Sequence, residues 1–380
     1  MLDYPLAQGI KILIFSGLSF LIAVLWAPLL IKMLTILKFW KKTSRKVAVT
    51  GEVLTITKKF YEENEKAENR KYIPRAGGVL IWVTTVIFAL FFWAILQIDK
   101  TNQFYQFLNF INRRETFIPL GTLYFASLIG LIDDTLSTLK NGGNYIAGGL
   151  KLSHRMILVT LMGSFIGWWF YAKLSLTSIK LPFFDYSSGD WINLDLEKIV
   201  FPFIGSIGWV IIPITILILV TIWSTSIIDG FDGLAVGVFI PVFLCFAGLS
   251  FVDSYYDIAT MLMVMVGTMW AYLWFNIPPA KFFMGDTGTM GVLLTLGVVA
   301  IFINKIYVLP IAGFILYVVA ASAFIQVISK KLFKKKVFLA APLHHHLEAL
   351  GWTREQVTMR FWMISMITSL LGFAIGLLIG

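Results

Sequence analysis

Four short motifs set ionisable side chains beside long hydrophobic runs. Asp133 and Asp134 stand in LIGLIDDT, Asp229 and Asp232 in IIDGFDGLA, Asp286 in NIPPAKFFMGDTG, and His344, His345 and His346 in APLHHHLEALGW. Any one of these acids taken alone reads equally well as a helix cap or a solvated boundary residue. Together they ask for chemistry, because ionisable groups at membrane depth are costly and mark functional sites. Two adjacent carboxylates raise each other's pKa unless a cation lies nearby. In DGFDG two acids three residues apart are each followed by Gly, which permits tight turning. Such acid clusters suit Mg²⁺, a hard cation that takes oxygen ligands and shares them with substrate phosphates. Zn²⁺ prefers nitrogen or sulfur, and three consecutive histidines on a regular helix do not point at one centre. They suit phosphate binding or proton transfer better. Lys140, Lys151, Arg155 and Lys281 flank the motifs and could hold a polyanion. The chemistry expected is metal-assisted attack of an oxygen nucleophile on phosphorus. No GxxxxGK[ST] cradle is present, which argues against an ATPase.

The elements that position these residues are membrane helices. The chain is 58% hydrophobic and 14% charged, against about 45–50% and about 25% for soluble domains; its mean hydropathy is +0.82. Apolar runs long enough to cross a hydrocarbon core of about 30 Å occupy 11–37, 77–98, 117–133, 155–172, 203–224, 235–252, 257–275, 288–303, 307–329 and 357–379. The alternating ten-residue strands of an outer-membrane barrel are absent. The expectation is an all-α polytopic membrane protein of ten helices, forming a single integral domain over 1–380. Lys38–Arg75 carries eleven Lys and Arg residues, and the positive-inside rule places it in the cytoplasm. Alternation then puts 134–154, 225–234, 276–287 and 330–356 inside as well, with both termini outside. The run Lys330, Lys331, Lys334, Lys335 and Lys336 falls inside by counting alone, an independent check. All four motifs share that face.

The net charge of +10 is therefore explained by topology; no basic stripe interleaved with aromatics points to nucleic acid. The single Cys245 excludes an intrachain disulfide. The first apolar run lacks a basic leader and a small-residue cleavage site and reads as a retained span. In 173–202 a Ser-Ser-Gly turn between aromatic and β-branched flanks predicts a short external hairpin. The stretch 47–71 has the interspersed apolar and charged residues of a surface-lying amphipathic helix.

From about Pro74 to the C-terminus the motifs resemble the polyprenyl-phosphate N-acetylhexosamine-1-phosphate transferases. The carriers are PRAGG at 74–78, GLIDD at 130–134, DGFDGLA at 229–235, NIPPAKFFMGD at 276–286 and APLHHHLEALGW at 341–352. The unbroken His triplet followed by Gly-Trp resembles the muramoyl-pentapeptide branch. That resemblance implies ten helices in the bacterial cytoplasmic membrane, Mg²⁺, and a cytoplasmic site joining undecaprenyl phosphate to UDP-N-acetylmuramoyl-pentapeptide with release of UMP. It implies Asp286 as the metal ligand and Asp133 and Asp134 at the lipid phosphate, Asp133 as base. It implies Phe283 against uracil, Asn276, Asp229 and Asp232 lining the nucleotide-sugar site, and His344, His345 and His346 at the sugar or phosphate. A homodimer is also consistent with it, although no interface is legible in the sequence.

Three positions depart from the family pattern. Ser226 stands where the family usually has Asn, three residues before Asp229. The family's Thr-Pro-Thr-Met-Gly-Gly is Ile-Pro-Arg-Ala-Gly-Gly here, with Arg70, Lys71 and Arg75 as replacement phosphate ligands. The Lys expected three residues after Asp134 is Ser137, and Lys140 is its substitute. The alternatives are a GlcNAc-1-phosphate donor with the same chemistry, or a membrane transporter. A transporter would place its charges at the midplane on paired broken helices, whereas these acids collect at one face.

Overall fold

A computed structural model of the protein describes residues 3–40, 73–139, 149–185, 190–201 and 205–379. The amphipathic stretch expected at 47–71, and with it Lys71, lies outside the described residues, as does Lys140. Among the described residues ten helices are long and apolar enough to cross a membrane, so the chain is a multi-pass membrane protein. In chain order the helices are α1 (Tyr4–Ile36), α2 (Val79–Ile98), short α3 (Gln103–Leu108), α4 (Phe117–Leu139) and α5 (Leu152–Leu174). They continue with α6 (Ile211–Ser224), α7 (Leu234–Val252), α8 (Tyr256–Asn276) and α9 (Gly285–Phe302). The last four are one-turn α10 (Leu309–Ala312), α11 (Phe314–Phe333), short α12 (Leu343–Ala349) and α13 (Arg354–Leu378). The expected hairpin is present as antiparallel strands β1 (Ser178–Asp185) and β2 (Asp190–Asp195), with a second small pair, β3 (Val200–Phe201) and β4 (Gly205–Ser206).

Helices α7, α8 and α9 are apolar all round and buried nearly throughout, the pattern of a bundle centre. Helices α1 and α13 present rows of exposed Leu to the bilayer, including Leu25, Leu29 and Leu370. Lipid supplies no hydrophobic drive between helices, so close backbone approach at small residues takes its place. Gly163 and Gly167 of α5, four residues apart, seat Ile212 and Ile216 of α6. Gly267 of α8 admits α1, whose Ser19 hydroxyl donates to the Val264 carbonyl at 3.0 Å.

Several boundaries differ from the hydropathy reading. The first span begins at Tyr4, not residue 11, because polar Gln8 and Lys11 are buried against other elements. The third continues past the Asp pair to Leu139, so Asp133 and Asp134 sit within a helix and do not end it. The ninth is broken at Gly313 into α10 and α11.

Candidate active site

Two motif loops meet edge to edge beneath the bundle. The Phe283 amide donates to the Pro74 carbonyl at 2.8 Å, and the Gly77 and Gly78 amides donate to the Phe283 and Met284 carbonyls at 2.7 and 3.0 Å. This pairing fixes PRAGG against KFFMG. The chain then turns into α9 through Gly285, whose φ of +70° is costly for any residue with a side chain. A Cβ there would also overlap the Asp134 carboxylate. Across the contact, Gly130 of α4 lies flush on the Asp286 backbone. These two glycines bring the LIGLIDD and MGDTG motifs together.

The result is a cluster of Asp133, Asp134 and Asp286, each offering one oxygen within 4.8 Å of the others. Asp134 accepts from the Asp286 and Thr287 amides at 3.2 and 3.0 Å, so the first turn of α9 holds its orientation. Thr287 is itself fixed by donating to the Ser127 carbonyl at 2.9 Å and accepting from the Trp82 indole at 3.2 Å. Asp133 accepts from the Leu150 amide at 2.5 Å and from Arg155 at 2.6 Å. The same guanidinium reaches Asp286 at 2.9 Å. Arg155, near the start of α5, therefore bridges the two acids. The donor set is all oxygen, carboxylates from two helices with a half-buried Asp286 facing the open side, and it fits a hard divalent cation.

The DGFDG loop forms the next wall. Asp229 lies within electrostatic reach of the Gly285 amide, Arg75 and Asp286. Desolvation pushes its carboxyl up to about 6, with Arg75 opposing and Asp286 adding to the rise. Asn276 is buried, accepting from the Gly233 amide at 2.9 Å and donating to the Phe282 carbonyl at 2.7 Å. It joins the DGFDG and KFF segments from behind. Asp232, also buried, accepts from the Ala280 amide at 3.4 Å. Phe283 is half-buried and Lys281 exposed beside these groups.

The three histidines occupy different environments. His344 is 1% exposed, packs under Gly230 and meets the Phe231 ring edge-on at 5.0 Å. Desolvation, followed by His345, lowers its pKa to about 3, so it is neutral. His345 is half-exposed, with Nδ1 3.0 Å from Glu348, which also accepts from Arg354 at 2.6 Å. Desolvation pushes the Glu348 carboxyl up, but the hydrogen bonds from His345 and Arg354 outweigh it and hold it below its ordinary value. Arg354 in turn lies 5.3 Å over the Phe231 ring. His346 accepts at Nδ1 from the Leu339 amide at 3.2 Å. Glu348 and Arg354 were missed by motif reading, although the i, i+3 spacing of His345 and Glu348 is a visible signal. Of the departures, Ser137 donates to the Asp134 carbonyl at 2.7 Å, Arg75 faces Asp229, and Ser226 is half-buried at the mouth of the DGFDG loop.

A multi-spanning bundle carrying an acid cluster at one end defines a class, and the comparisons agree with it: the family model for glycosyl transferase family 4 matches residues 116–304. The chain is 32% identical over 317 residues to the phospho-N-acetylmuramoyl-pentapeptide-transferase of Pelagibacter ubique, covering 79% of each. It is 30% identical over 359 residues to that of Acetivibrio thermocellus, covering 94% of this chain and 92% of the relative. The chain belongs to the phospho-N-acetylmuramoyl-pentapeptide-transferase family.

Proposed function

We propose that the protein transfers phospho-N-acetylmuramoyl-pentapeptide from its UDP-linked donor to undecaprenyl phosphate in the bacterial cytoplasmic membrane. The observation that carries this reading is the meeting of Asp133, Asp134 and Asp286 within 4.8 Å at one end of the bundle, in a chain of this family. The orientation is supported by the Lys run that ends α11 and follows it. Gln326 accepts from the Val337 and Phe338 amides, and Ser322 from the Leu343 amide, so that run lies at the histidine end. Positive-inside logic makes this end cytoplasmic.

The oxygen donor set suits Mg²⁺, held by Asp286 with the Asp pair; the ion would neutralise charge developing on the phosphates. The chain's own residues do the rest. A lipid phosphate oxygen forms a bond to the sugar-linked phosphorus of the donor, the bond between the donor's two phosphates breaks, and UMP leaves. A phosphate monoester already carries about −1.5 to −2 charge at neutral pH, so Asp133 takes at most one remaining proton or orients the nucleophile. Arg155 positions Asp133 and Asp286 and offsets their repulsion. Phe283 stacks on uracil, Arg75 and Lys281 hold phosphate oxygens, and His345, braced by Glu348, contacts the sugar-phosphate. Asn276 acts by fixing the two loops. His344 supports the DGFDG turn from beneath.

Arg75 favours one second reading, a GlcNAc-1-phosphate donor, since its motif is closer to that branch. Radiolabelled exchange with each UDP-sugar, in detergent with Mg²⁺ and undecaprenyl phosphate, separates the two. Labelled lipid from the muramoyl-pentapeptide donor is expected; label from UDP-GlcNAc alone would overturn the assignment.

A further inference from the structure

The opposite face of the bundle carries a second polar site. Helix α8 runs from Asp257 to Asn276, about 28 Å at 1.5 Å per residue, which separates this face from the carboxylates. Here the start of α1, short α3 with the loop after it, and the start of α8 enclose a pocket of about 430 Å³. Lys11, 3% exposed, donates to the Phe107 carbonyl at 3.1 Å and lies 5.0 Å over the Phe107 ring. Gln8, also 3% exposed, lines the pocket, and its Oε1 has no hydrogen-bond partner among the described residues. Asn112 donates to Asp257 at 3.4 Å. Arg113 is exposed at the rim.

Beside this pocket a groove of about 1030 Å³ runs between α2, α4 and α5. It is walled by Leu90, Trp93, Phe125, Leu161 and Phe165, all lipid-facing. Ile111 and Arg113 line both cavities, so the two adjoin. The groove asks for a hydrocarbon chain and the pocket for a headgroup. Among the residues lining the pocket, Lys11 and Arg113 against Asp257 leave one net positive charge, which complements a phosphodiester monoanion.

We propose that this is a binding site for an acidic glycerophospholipid in the leaflet opposite the carboxylates. The phosphate lies at Arg113 and Lys11, and an acyl chain fills the groove.

The test uses the full chain, delipidated in detergent, in native mass spectrometry with phosphatidylglycerol, phosphatidylcholine of the same chains, and undecaprenyl phosphate. Phosphatidylglycerol is expected to bind about tenfold more tightly than phosphatidylcholine, and Arg113→Ala or Lys11→Gln to remove that preference. Arg113 lies in an exposed loop, so its variant tests the site even where Lys11→Gln fails to fold. A photoreactive phosphatidylglycerol should crosslink within 103–125. Equal binding of the two phospholipids to the wild type, displacement of phosphatidylglycerol by equimolar undecaprenyl phosphate, or crosslinks confined to other segments would each overturn the proposal.

Discussion

Replacing Gly130 with Ala tests whether backbone contact between α4 and α9 sets the carboxylate geometry. An added Cβ would lie 2.5 Å from the Thr287 nitrogen and closer still to the Asp286 carbonyl, where ordinary contact begins at 3.4 Å. These are backbone atoms of a buried helix start and cannot swing aside. The helices must therefore part by about 1 Å or more, carrying Asp133 and Asp134 away from Asp286. A misplacement of about 1 Å costs on the order of 10²-fold in rate, about 2.7 kcal/mol of transition-state stabilisation. The assay is product formation by purified protein at saturating substrates, normalised to the monodisperse fraction on size exclusion. Gly17→Ala is the control, since a Cβ there meets nothing within 4 Å, and its rate should match the wild type. Full activity in Gly130→Ala would refute the argument that this contact positions the acids.

Three further outcomes follow from the site. Asp286→Asn should abolish turnover while the protein remains folded and extractable; near-normal rates would remove Asp286 from the mechanism. Glu348→Gln weakens the charge-assisted bonds to His345 and Arg354 and should lower kcat about tenfold to a hundredfold. In a His345→Ala background the same change should cost little more, and fully additive losses in that double-mutant cycle would separate Glu348 from His345. His344 has a folded pKa of about 3 against 6.5, so the unfolded chain binds more protons between these values. Its contribution is complete above pH 6.5 and falls by about 1.4 kcal/mol for each pH unit below. In thermal unfolding in detergent, the stability difference between wild type and His344→Gln should carry that slope between pH 6.5 and 5, because other titrating groups, Asp229 among them, are common to both; a difference that does not change with pH would reassign it.

The ten spans were legible because hydrocarbon thickness imposes a run length that few other structures need. Boundaries were less so. Gln8 and Lys11 look like solvent-side residues until Phe107 and its loop are seen covering them. The break at Gly313 is invisible to hydropathy because both sides are apolar. Among the site residues, acid types and their common face could be read from motifs and alternation. That Asp133, Asp134 and Asp286 converge could not, since it depends on Gly130 lying on the Asp286 backbone and Gly285 on the Asp134 carboxylate, contacts between segments far apart in the chain. Arg155 looked like a loose phosphate ligand; only its placement at the first turn of α5 shows it bridging two carboxylates. The three histidines are identical in sequence yet differ in role, because one turn of α12 buries His344, braces His345 and turns His346 toward Leu339.

The central claim is tested most directly by identifying the product. Purified protein incubated with UDP-N-acetylmuramoyl-pentapeptide, undecaprenyl phosphate and Mg²⁺ should yield UMP and undecaprenyl-pyrophosphoryl-N-acetylmuramoyl-pentapeptide by mass spectrometry. Neither should form in the Asp286→Asn variant. Product of undiminished yield from that variant, or a lipid-linked sugar formed only when UDP-GlcNAc is the donor, would contradict the account.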